Sequence, residues 1–153
     1  IDSIRKIIPD AGISMDIISG FCSETEEEHQ DTLSLMEAVK YDFGYMFAYS
    51  ERPKTLAERK YPDDVPAEIK SRRLAEIVEL QLKHSAFRTK AGVGKMHRVL
   101  VEGTSKKSKE ELFGRNSQNC VVVFPKENYK KGDYVNVLAE NCTGGRLIGK
   151  AVQ

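Results

Sequence analysis

Cysteine is scarce in this sequence of 153 residues, and long apolar runs are absent from it. The three cysteines, Cys22, Cys120 and Cys142, are an odd number and lie far apart. This spacing argues against a disulfide framework and matches no compact metal-ligand motif. We expect thiols that pack as small apolar groups in a reducing, cytoplasmic setting. Because no apolar run approaches the roughly 20 residues of a membrane-spanning helix, we expect no membrane-embedded segment.

The first residues, 1–8, have neither an initiator methionine nor the layout of a signal peptide. Their pattern is that of a helix interior, so we expect the chain to be a truncated piece of a longer protein. The composition, with 40% hydrophobic and 31% charged residues, is typical of a soluble globular protein. This length allows one ordinary domain or two small ones, each with a modest core.

Charge is unevenly distributed along the chain. Residues 1–92 contain 13 lysines and arginines against 17 acidic residues, a net charge of −4. Residues 93–153 contain 11 against 6, a net charge of +5. A basic half that follows an acidic one favours contact with a polyanion, although basic small domains without such a partner are equally common.

The first half has the element order of a parallel α/β sheet. A β-branched run over 13–21 predicts a strand buried on both faces, and Thr25 begins a capping box that predicts a helix start. A second strand is predicted at 45–49. Loops over 20–25 and 50–55 follow the two strands, and ligands bind at the carboxyl ends of such strands.

The second half changes from helical to β character. Asp64 is a candidate cap for a long helix that starts near Pro66 and ends near residues 89–92. Its predicted apolar face consists of Ile69, Leu74, Ile77, Val78 and Leu82. Five short β-like runs then lie between turn signals, at 96–102, 112–115, 120–124, 134–138 and 146–152. They predict a small, closed or nearly closed barrel.

Four segments together resemble one family. Residues 16–26, Asp-Ile-Ile-Ser-Gly-Phe-Cys-Ser-Glu-Thr-Glu, are similar to the pattern Asp-Ile-Ile-x-Gly-Phe-Pro-Gly-Glu-Thr-Glu of radical S-adenosylmethionine methylthiotransferases. Residues 49–57 are similar to their Tyr-Ser-x-Arg-Pro-Gly-Thr-x-Ala pattern. Residues 114–124 and 132–137 resemble the TRAM domain that ends these enzymes. Each motif alone is weak, but all four occur in the right order.

The resemblance implies a fold in two parts. Residues 1–91 would be the last βα units of a partial TIM-like radical S-adenosylmethionine barrel with a long connecting helix. Residues 92–153 would be a five-stranded, antiparallel, OB-like TRAM barrel. The chain departs from the family pattern where Cys22-Ser23 replaces Pro-Gly and where Lys54 replaces Gly. The first change affects the loop after the first strand, and the second adds a positive charge at a flexible turn.

The resemblance also implies S-adenosylmethionine and two [4Fe–4S] clusters as cofactors of the intact enzyme. The family's Cys-x-x-x-Cys-x-x-Cys loop and its amino-terminal cluster domain have no counterpart in this sequence. We therefore expect these residues to resemble the last third of the enzyme, with no metal, no bound cofactor and no catalytic residue, and to be inactive alone.

The reaction implied for the tRNA-modifying members takes place beside the anticodon. A 5′-deoxyadenosyl radical abstracts hydrogen from C2 of an isopentenylated adenosine, where a methylthio group is installed. The intact enzyme would be a cytoplasmic monomer whose partner is the tRNA anticodon loop. That loop suits the reaction because its bases are already partly unstacked.

The two loops after the predicted strands carry the candidate ligand-binding residues. For S-adenosylmethionine we expect Gly20, Phe21, Glu24 and Thr25. For the substrate we expect Tyr49, Ser50, Arg52 and Thr55. Helix capping alone also accounts for Glu24 and Thr25. Arg52 is the strongest candidate, because a guanidinium just past a strand end can bind a phosphate or carboxylate through two hydrogen bonds.

The terminal barrel carries the candidate RNA-binding residues, all with basic or amide side chains. They are Lys95, Arg98, Lys106, Lys107, Arg115, Asn116 and Lys126. They would attract phosphates by counterion release and position an unpaired loop. A solvated charged rim explains any single one of them equally well. We assign no chemistry to the three histidines.

Two other functions stay open. The chain could be a stand-alone RNA-binding module, or a piece of a ribosomal-protein methylthiotransferase whose terminal barrel binds protein. The +5 charge of residues 93–153 favours RNA over a protein partner. The first predicted strand would expose an unpaired edge, so we expect this piece to dimerise through it.

Overall fold

The computed structural model describes residues 1–152. Its helices are α1 Asp2–Ile7, α2 Glu26–Val39, α3 Leu56–Lys60 and α4 Ala67–Lys90. Its strands are β1 Ser14–Ser19, β2 Phe43–Ala48, β3 Met96–Thr104, β4 Glu111–Arg115, β5 Val121–Pro125, β6 Tyr134–Thr143 and β7 Arg146–Ala151. Two compact units are formed, one by residues 14–84 and the other by residues 1–13 with those from 85 onward. Within the described chain, every helix is too short or too polar to cross a membrane.

The unit of residues 14–84 is built on a parallel strand pair. Strands β1 and β2 pair from Ser14 opposite Phe43 to Ser19 opposite Ala48, and α2 connects them. The parallel pairing predicted from the element order is therefore confirmed. Burial on both faces of β1 is wrong for this structure, because Ile18 is 58% exposed.

Helix α2 begins where its sequence predicts. The Thr25 side chain accepts a hydrogen bond from the Glu28 backbone N–H at 3.2 Å, and the Glu28 carboxylate accepts one from the Thr25 N–H at 2.8 Å. Lys40, in the left-handed conformation, ends the helix. The capping box thus satisfies two of the backbone donors that a helix start leaves open.

Helix α4 buries a face that coincides only in part with the predicted one, and Ile77 is common to both. Its buried residues are Lys70, Arg73, Ile77, Gln81 and His84. Leu82, expected on the apolar face, is 66% exposed. The predicted cap is also wrong, because the Asp64 carboxylate accepts hydrogen bonds from Ser23 instead. Ile77 is the one aliphatic residue among these five, and buried polar side chains are costly unless they form hydrogen bonds. Here carboxylates and backbone carbonyls accept hydrogen bonds from them.

Strands β3 to β7 close into a barrel in the order β3-β4-β5-β7-β6, with β6 returning to pair with β3. Four of the pairings are antiparallel, whereas β5 and β7 are parallel. The predicted five-stranded, OB-like barrel is therefore confirmed in outline, but its antiparallel character is wrong. A closed ring with an odd number of strands cannot alternate direction throughout, so at least one pair must be parallel.

Alternation along the strands fills the barrel with small branched side chains. Its buried core contains Val99, Val101, Leu112, Val122, Phe124, Val135, Val137, Ala139 and Leu147. Residues between them on the same strands, such as Arg98 and Tyr134, point outward and are exposed. The closed ring leaves no free strand edge and gives the barrel an outer face of its own.

Two glycines let neighbouring strands approach each other. A Cβ added at Gly114 would lie 2.1 Å from the Leu100 carbonyl oxygen, and one at Gly149 would lie 2.1 Å from that of Leu138. Both contacts are with backbone, so no side-chain movement can relieve them.

We expect Gly114→Ala to lower the free energy of unfolding by about 3 kcal/mol or more, because β3 and β4 must separate. The matched control is Gly103→Ala on β3, where the nearest atom would be 3.5 Å away and the cost should be about 1 kcal/mol or less. Urea unfolding followed by circular dichroism measures both. Equal losses in the two variants would contradict this account of barrel closure.

Candidate functional site

The two loops predicted to bind ligands leave the same end of the parallel pair β1–β2. The Tyr49 N–H donates to the Ser19 carbonyl at 2.8 Å and extends the pairing by one step. Gly20 has a φ of +74°, and a Cβ there would lie 2.4 Å from Lys70 Cγ. Glycine is therefore required where the first loop turns away from the strand.

Aromatic rings occupy this end of the sheet. The rings of Phe21 and Tyr49 meet edge to face with centroids 5.0 Å apart, and Tyr61 lies 6.4 Å from Phe21. The neighbouring Cys22 side chain, together with burial, raises the pKa of Tyr49 to about 12. The phenol therefore stays protonated at neutral pH. Phe21 is 42% exposed and offers an apolar ring edge to a ligand.

Lys70 from α4 packs against Gly20 and contacts Tyr49, and it was not predicted as a site residue. Its buried ammonium pairs with the Asp63 carboxylate and donates to the Tyr49 carbonyl at 3.4 Å. The same ammonium lies 5.2 Å from the centroid of the Tyr49 ring. In a sequence, a lysine near a helix start looks like an ordinary solvent-exposed residue. Lys70 differs from such a residue only through its contacts with Asp63 and Tyr49.

Glu24 and Thr25, two of the predicted cofactor residues, support the first loop. One Glu24 carboxylate oxygen accepts from the Gly20 N–H and from the Arg73 guanidinium, each at 2.8 Å. Arg73 also donates to the Glu24 carbonyl at 2.9 Å, while Thr25 caps α2. Both predicted side chains are thus engaged within the protein, whereas the side chain of Phe21 is 42% exposed.

An ion-pair network continues from this loop between α2 and α4. Glu26 contacts Arg72 at 2.6 Å and Arg73 at 3.2 Å, and Glu76 contacts Arg72 and His29 at 2.7 Å each. The hydrogen bond from Arg72 lowers the pKa of Glu26 to about 2. Glu26 and Arg72 are about half exposed, so water screens their pair and its main effect is to orient the two helices.

The two departures from the family pattern both lie in left-handed backbone. Ser23 has a φ of 64° and Lys54 a φ of 71°, and the family pattern has glycine at each position. At Ser23 the Asp64 carboxylate accepts from the N–H at 2.6 Å and from the hydroxyl at 2.9 Å. The Lys54 N–H donates to Glu58 at 3.1 Å. Acceptors for these N–H groups partly offset the strain of a side chain in this conformation.

The second loop carries two exposed cationic side chains, Arg52 and Lys54. The exposed guanidinium of Arg52 makes no hydrogen bond or ion pair with any residue in the described range 1–152, whereas its carbonyl accepts from the Thr55 hydroxyl at 2.8 Å. Thr55 also caps α3, a helix that was not predicted. Ser50 is exposed on the same loop. Of the four predicted substrate residues, Arg52 has the charge and freedom to bind an anion.

Six of the seven predicted RNA-binding residues are exposed in the barrel unit: Lys95, Arg98, Lys106, Lys107, Arg115 and Lys126. Some of these exposed side chains already interact with other residues of the chain. Lys95 lies 3.4 Å from Asp10, and Arg115 contacts Glu102 at 3.2 Å. The guanidinium of Arg98 lies over the ring of Tyr134, 4.4 Å from its centroid.

The seventh, Asn116, is buried in the turn between β4 and β5. Its carbonyl oxygen accepts from the N–H groups of Gln118 at 3.1 Å and Cys120 at 2.9 Å. Its amide donates to His97 Nδ1 at 3.0 Å, and the other ring nitrogen then donates to the Gly92 carbonyl at 2.8 Å. Asn116 therefore shapes the turn beside Arg115, and its side chain has little capacity left for RNA.

The residues present do not fit an iron–sulfur cluster. Over residues 1–152, no three His, Cys, Asp or Glu side chains lie together as a metal would require, and the cysteines are free thiols.

Comparison with known proteins connects these features. A family model described as "TRAM domain" matches residues 90–152. The chain is 64% identical over 152 residues to the tRNA-2-methylthio-N(6)-dimethylallyladenosine synthase of Flavobacterium johnsoniae, covering 99% of this chain and 32% of that protein. The synthases of Flavobacterium psychrophilum and Phocaeicola vulgatus are 62% and 53% identical over 99% and 98% of the chain. Over almost its whole length, the chain is therefore similar to part of these synthases.

The family resemblance seen in the four motifs is thereby confirmed, and both TRAM motifs fall within the matched residues. The chain spans about a third of the length of the synthases that it matches. Among solved structures, a conserved protein of Methanococcus maripaludis aligns with 40% of this chain and 80% of its own, at 23% identity and a TM-score of 0.33. We base no argument on so weak a likeness.

We expect Lys54→Gly to raise the free energy of unfolding by about 0.5–1 kcal/mol, because glycine adopts a positive φ without a Cβ penalty. Lys54→Ala is the matched control. It removes the same charge but keeps the Cβ, and it should change stability by less than about 0.5 kcal/mol. Thermal or urea unfolding distinguishes the two. A similar gain in both variants would show that charge, and not backbone conformation, decides the effect.

Proposed function

We propose that this chain is the tRNA-docking, carboxy-terminal part of an enzyme that installs a methylthio group at C2 of an isopentenylated adenosine beside the anticodon. The observation that carries the proposal is the match of 99% of the chain to a named synthase, at 64% identity. That match favours the tRNA enzyme over a stand-alone RNA-binding module and over an enzyme that modifies ribosomal protein. The activity requires parts that this sequence does not contain.

Residues 1–91 would supply the last βα units of a radical S-adenosylmethionine barrel, and residues 92–153 the TRAM domain. The parallel pair β1–β2 with its connecting helix supports this division. So do Ile18, Tyr45 and Phe47, which are each about 60% exposed on the two-stranded sheet. Further strands would cover such apolar side chains. Without them we expect this piece to dimerise through the open edge, whereas the intact enzyme would be a cytoplasmic monomer.

For cofactors, we propose S-adenosylmethionine and two [4Fe–4S] clusters in the intact enzyme, all bound mainly outside this chain. S-adenosylmethionine, when bound at a reduced cluster, supplies the radical chemistry of the family. This chain would contribute Gly20 and Phe21 as a contact surface for it, with Glu24 and Thr25 holding the loop in shape. The piece alone would be inactive.

For the substrate, we propose that Arg52 binds a phosphate of the tRNA near the reacting adenosine. A guanidinium with no internal partner is available for bidentate contact with phosphate oxygens. Tyr49, Ser50 and Thr55 would shape the loop that presents Arg52. In the barrel, the exposed lysines and arginines would attract the phosphates of the anticodon arm, and Asn116 would hold the turn beside Arg115.

The test is to exchange the matching segment of the Flavobacterium johnsoniae synthase for this chain and to assay methylthio transfer to isopentenylated tRNA. We expect the chimera to be active. We expect Arg52→Ala to lower kcat/KM about tenfold or more, as loss of a charge-assisted bidentate contact would. The control is Lys83→Ala, which removes an exposed cation that pairs with Glu79 one helical turn away.

An inactive chimera with intact clusters would overturn the proposed function. If the chimera is active and Arg52→Ala has the same kcat/KM as Lys83→Ala, the proposed substrate role of Arg52 is wrong. The proposed activity of the parent enzyme would still stand.

A further inference from the structure

The outer face of the barrel carries a row of side chains that the sequence did not predict to lie together. Leu100 on β3 lies opposite Arg115 on β4 and opposite Tyr134 on β6. Directly opposed residues on neighbouring strands have their Cβ atoms about 4.5–5.5 Å apart, so the three form one continuous row. Arg98, two residues before Leu100, points to the same side and lies over the Tyr134 ring.

This row is unusually apolar for an outer surface. Tyr134 is 60% exposed, Leu100 37%, and Met96, at the start of β3, 52%. Single exposed apolar residues are common, but here three of them lie on two adjacent paired strands. They are bordered by the two arginines, Arg98 and Arg115.

The contact between Arg98 and Tyr134 is already formed in the free protein. The guanidinium lies 4.4 Å from the ring centroid, within the range of a cation–π interaction. Across the described residues 1–152, Arg98 forms no ion pair with a carboxylate. The positive charge of Arg98 is therefore not neutralised by a carboxylate while its guanidinium lies over the Tyr134 ring.

We propose that Tyr134 and Arg98 form a stacking site for an unpaired RNA base. Aromatic rings and guanidinium planes are the surfaces on which proteins stack single-stranded bases, and a base added to either would extend the existing stack by one layer. Leu100 and Met96 would cover the edge of the base, and Arg115 would reach the adjoining phosphate. The inference rests on the proposed function, since it names the part of the RNA that the barrel recognises.

The observations favour RNA over a protein partner for this face. The net charge of +5 over residues 93–153 suits a polyanion. A phosphate contact alone would use the arginines and would leave the exposed ring of Tyr134 without a role. The face is therefore expected to prefer an unpaired loop to a duplex of equal charge.

The test measures binding of the whole chain to an anticodon stem-loop RNA with 2-aminopurine in its loop, across a salt series. A blunt duplex with the same number of phosphates is the second ligand. The variants are Tyr134→Ala, Tyr134→Phe, which keeps the ring, and Lys106→Ala/Lys107→Ala, which removes two phosphate-attracting charges from the loop after β3. Thermal unfolding of each variant checks that its fold is intact.

We expect Tyr134→Ala to weaken stem-loop binding about tenfold, with an unchanged salt slope and less than about a twofold effect on the duplex. Tyr134→Phe should bind within about twofold of the original chain and should quench 2-aminopurine equally. The double lysine variant should bind both RNA ligands more weakly and should flatten the salt slope by about 1.5 to 2.

The failures of the two proposals are distinguishable. Salt-dependent binding that Tyr134→Ala does not weaken would overturn the stacking site and leave the RNA-docking role standing. Equal losses for stem-loop and duplex would also overturn it, because stacking requires an unpaired base. Absence of binding to either RNA at low salt would overturn the docking role on which the inference rests.

Discussion

Closure of five strands into a ring is the constraint on which the functional face of this protein depends. An odd ring requires one parallel pairing, and it is found between β5 and β7. Closure also fixes which residues face the core, so alternate side chains face outward over residues 96–101 of β3 and 134–139 of β6. Gly114 and Gly149 permit the close strand approach that the ring needs. The row around Tyr134 therefore faces outward because of the barrel geometry.

A second constraint governs the unit of residues 14–84. Helix α4 buries Lys70 and Arg73, which are expensive to desolvate unless each finds an opposite charge. Asp63 and Glu24 provide those charges from the segments around the candidate ligand loops. The ion pairs that compensate the burial of Lys70 and Arg73 therefore also fix the positions of Asp63 and Glu24. Glu24 has a structural task, whereas Phe21 and Arg52 are the exposed residues for which ligand contacts are proposed.

The sequence predicts the parts of this structure that are governed by short-range chemistry. The capping box at Thr25, the strand–helix–strand order and the five β-runs each depend on residues close together in the chain. The positions of Ser23 and Lys54 were identified as unusual from the family pattern alone, and their positive φ gives the reason.

The remaining features depend on contacts between residues far apart in sequence. Lys70, Arg73 and Asp64 contact the loops across 21 to 49 positions of sequence. For this reason Lys70 and Arg73 were not predicted as site residues, and Asp64 was wrongly predicted to cap α4. Asn116 resembled a polar surface residue until its partners, including His97 at a separation of 19, were seen. Tyr134 lies within the family motif over residues 132–137, but its place beside Arg98 and Leu100 follows from strand register, which the motif does not reveal.

Backbone amide chemical shifts, followed by NMR during titration with an anticodon stem-loop RNA, test the central claim that the barrel docks RNA. The account predicts that the largest shifts occur along β3, along the start of β6 and in the loop around Lys106, with none in α2. Shifts confined to the loops over residues 20–25 and 50–55, with an unchanged barrel, would contradict it.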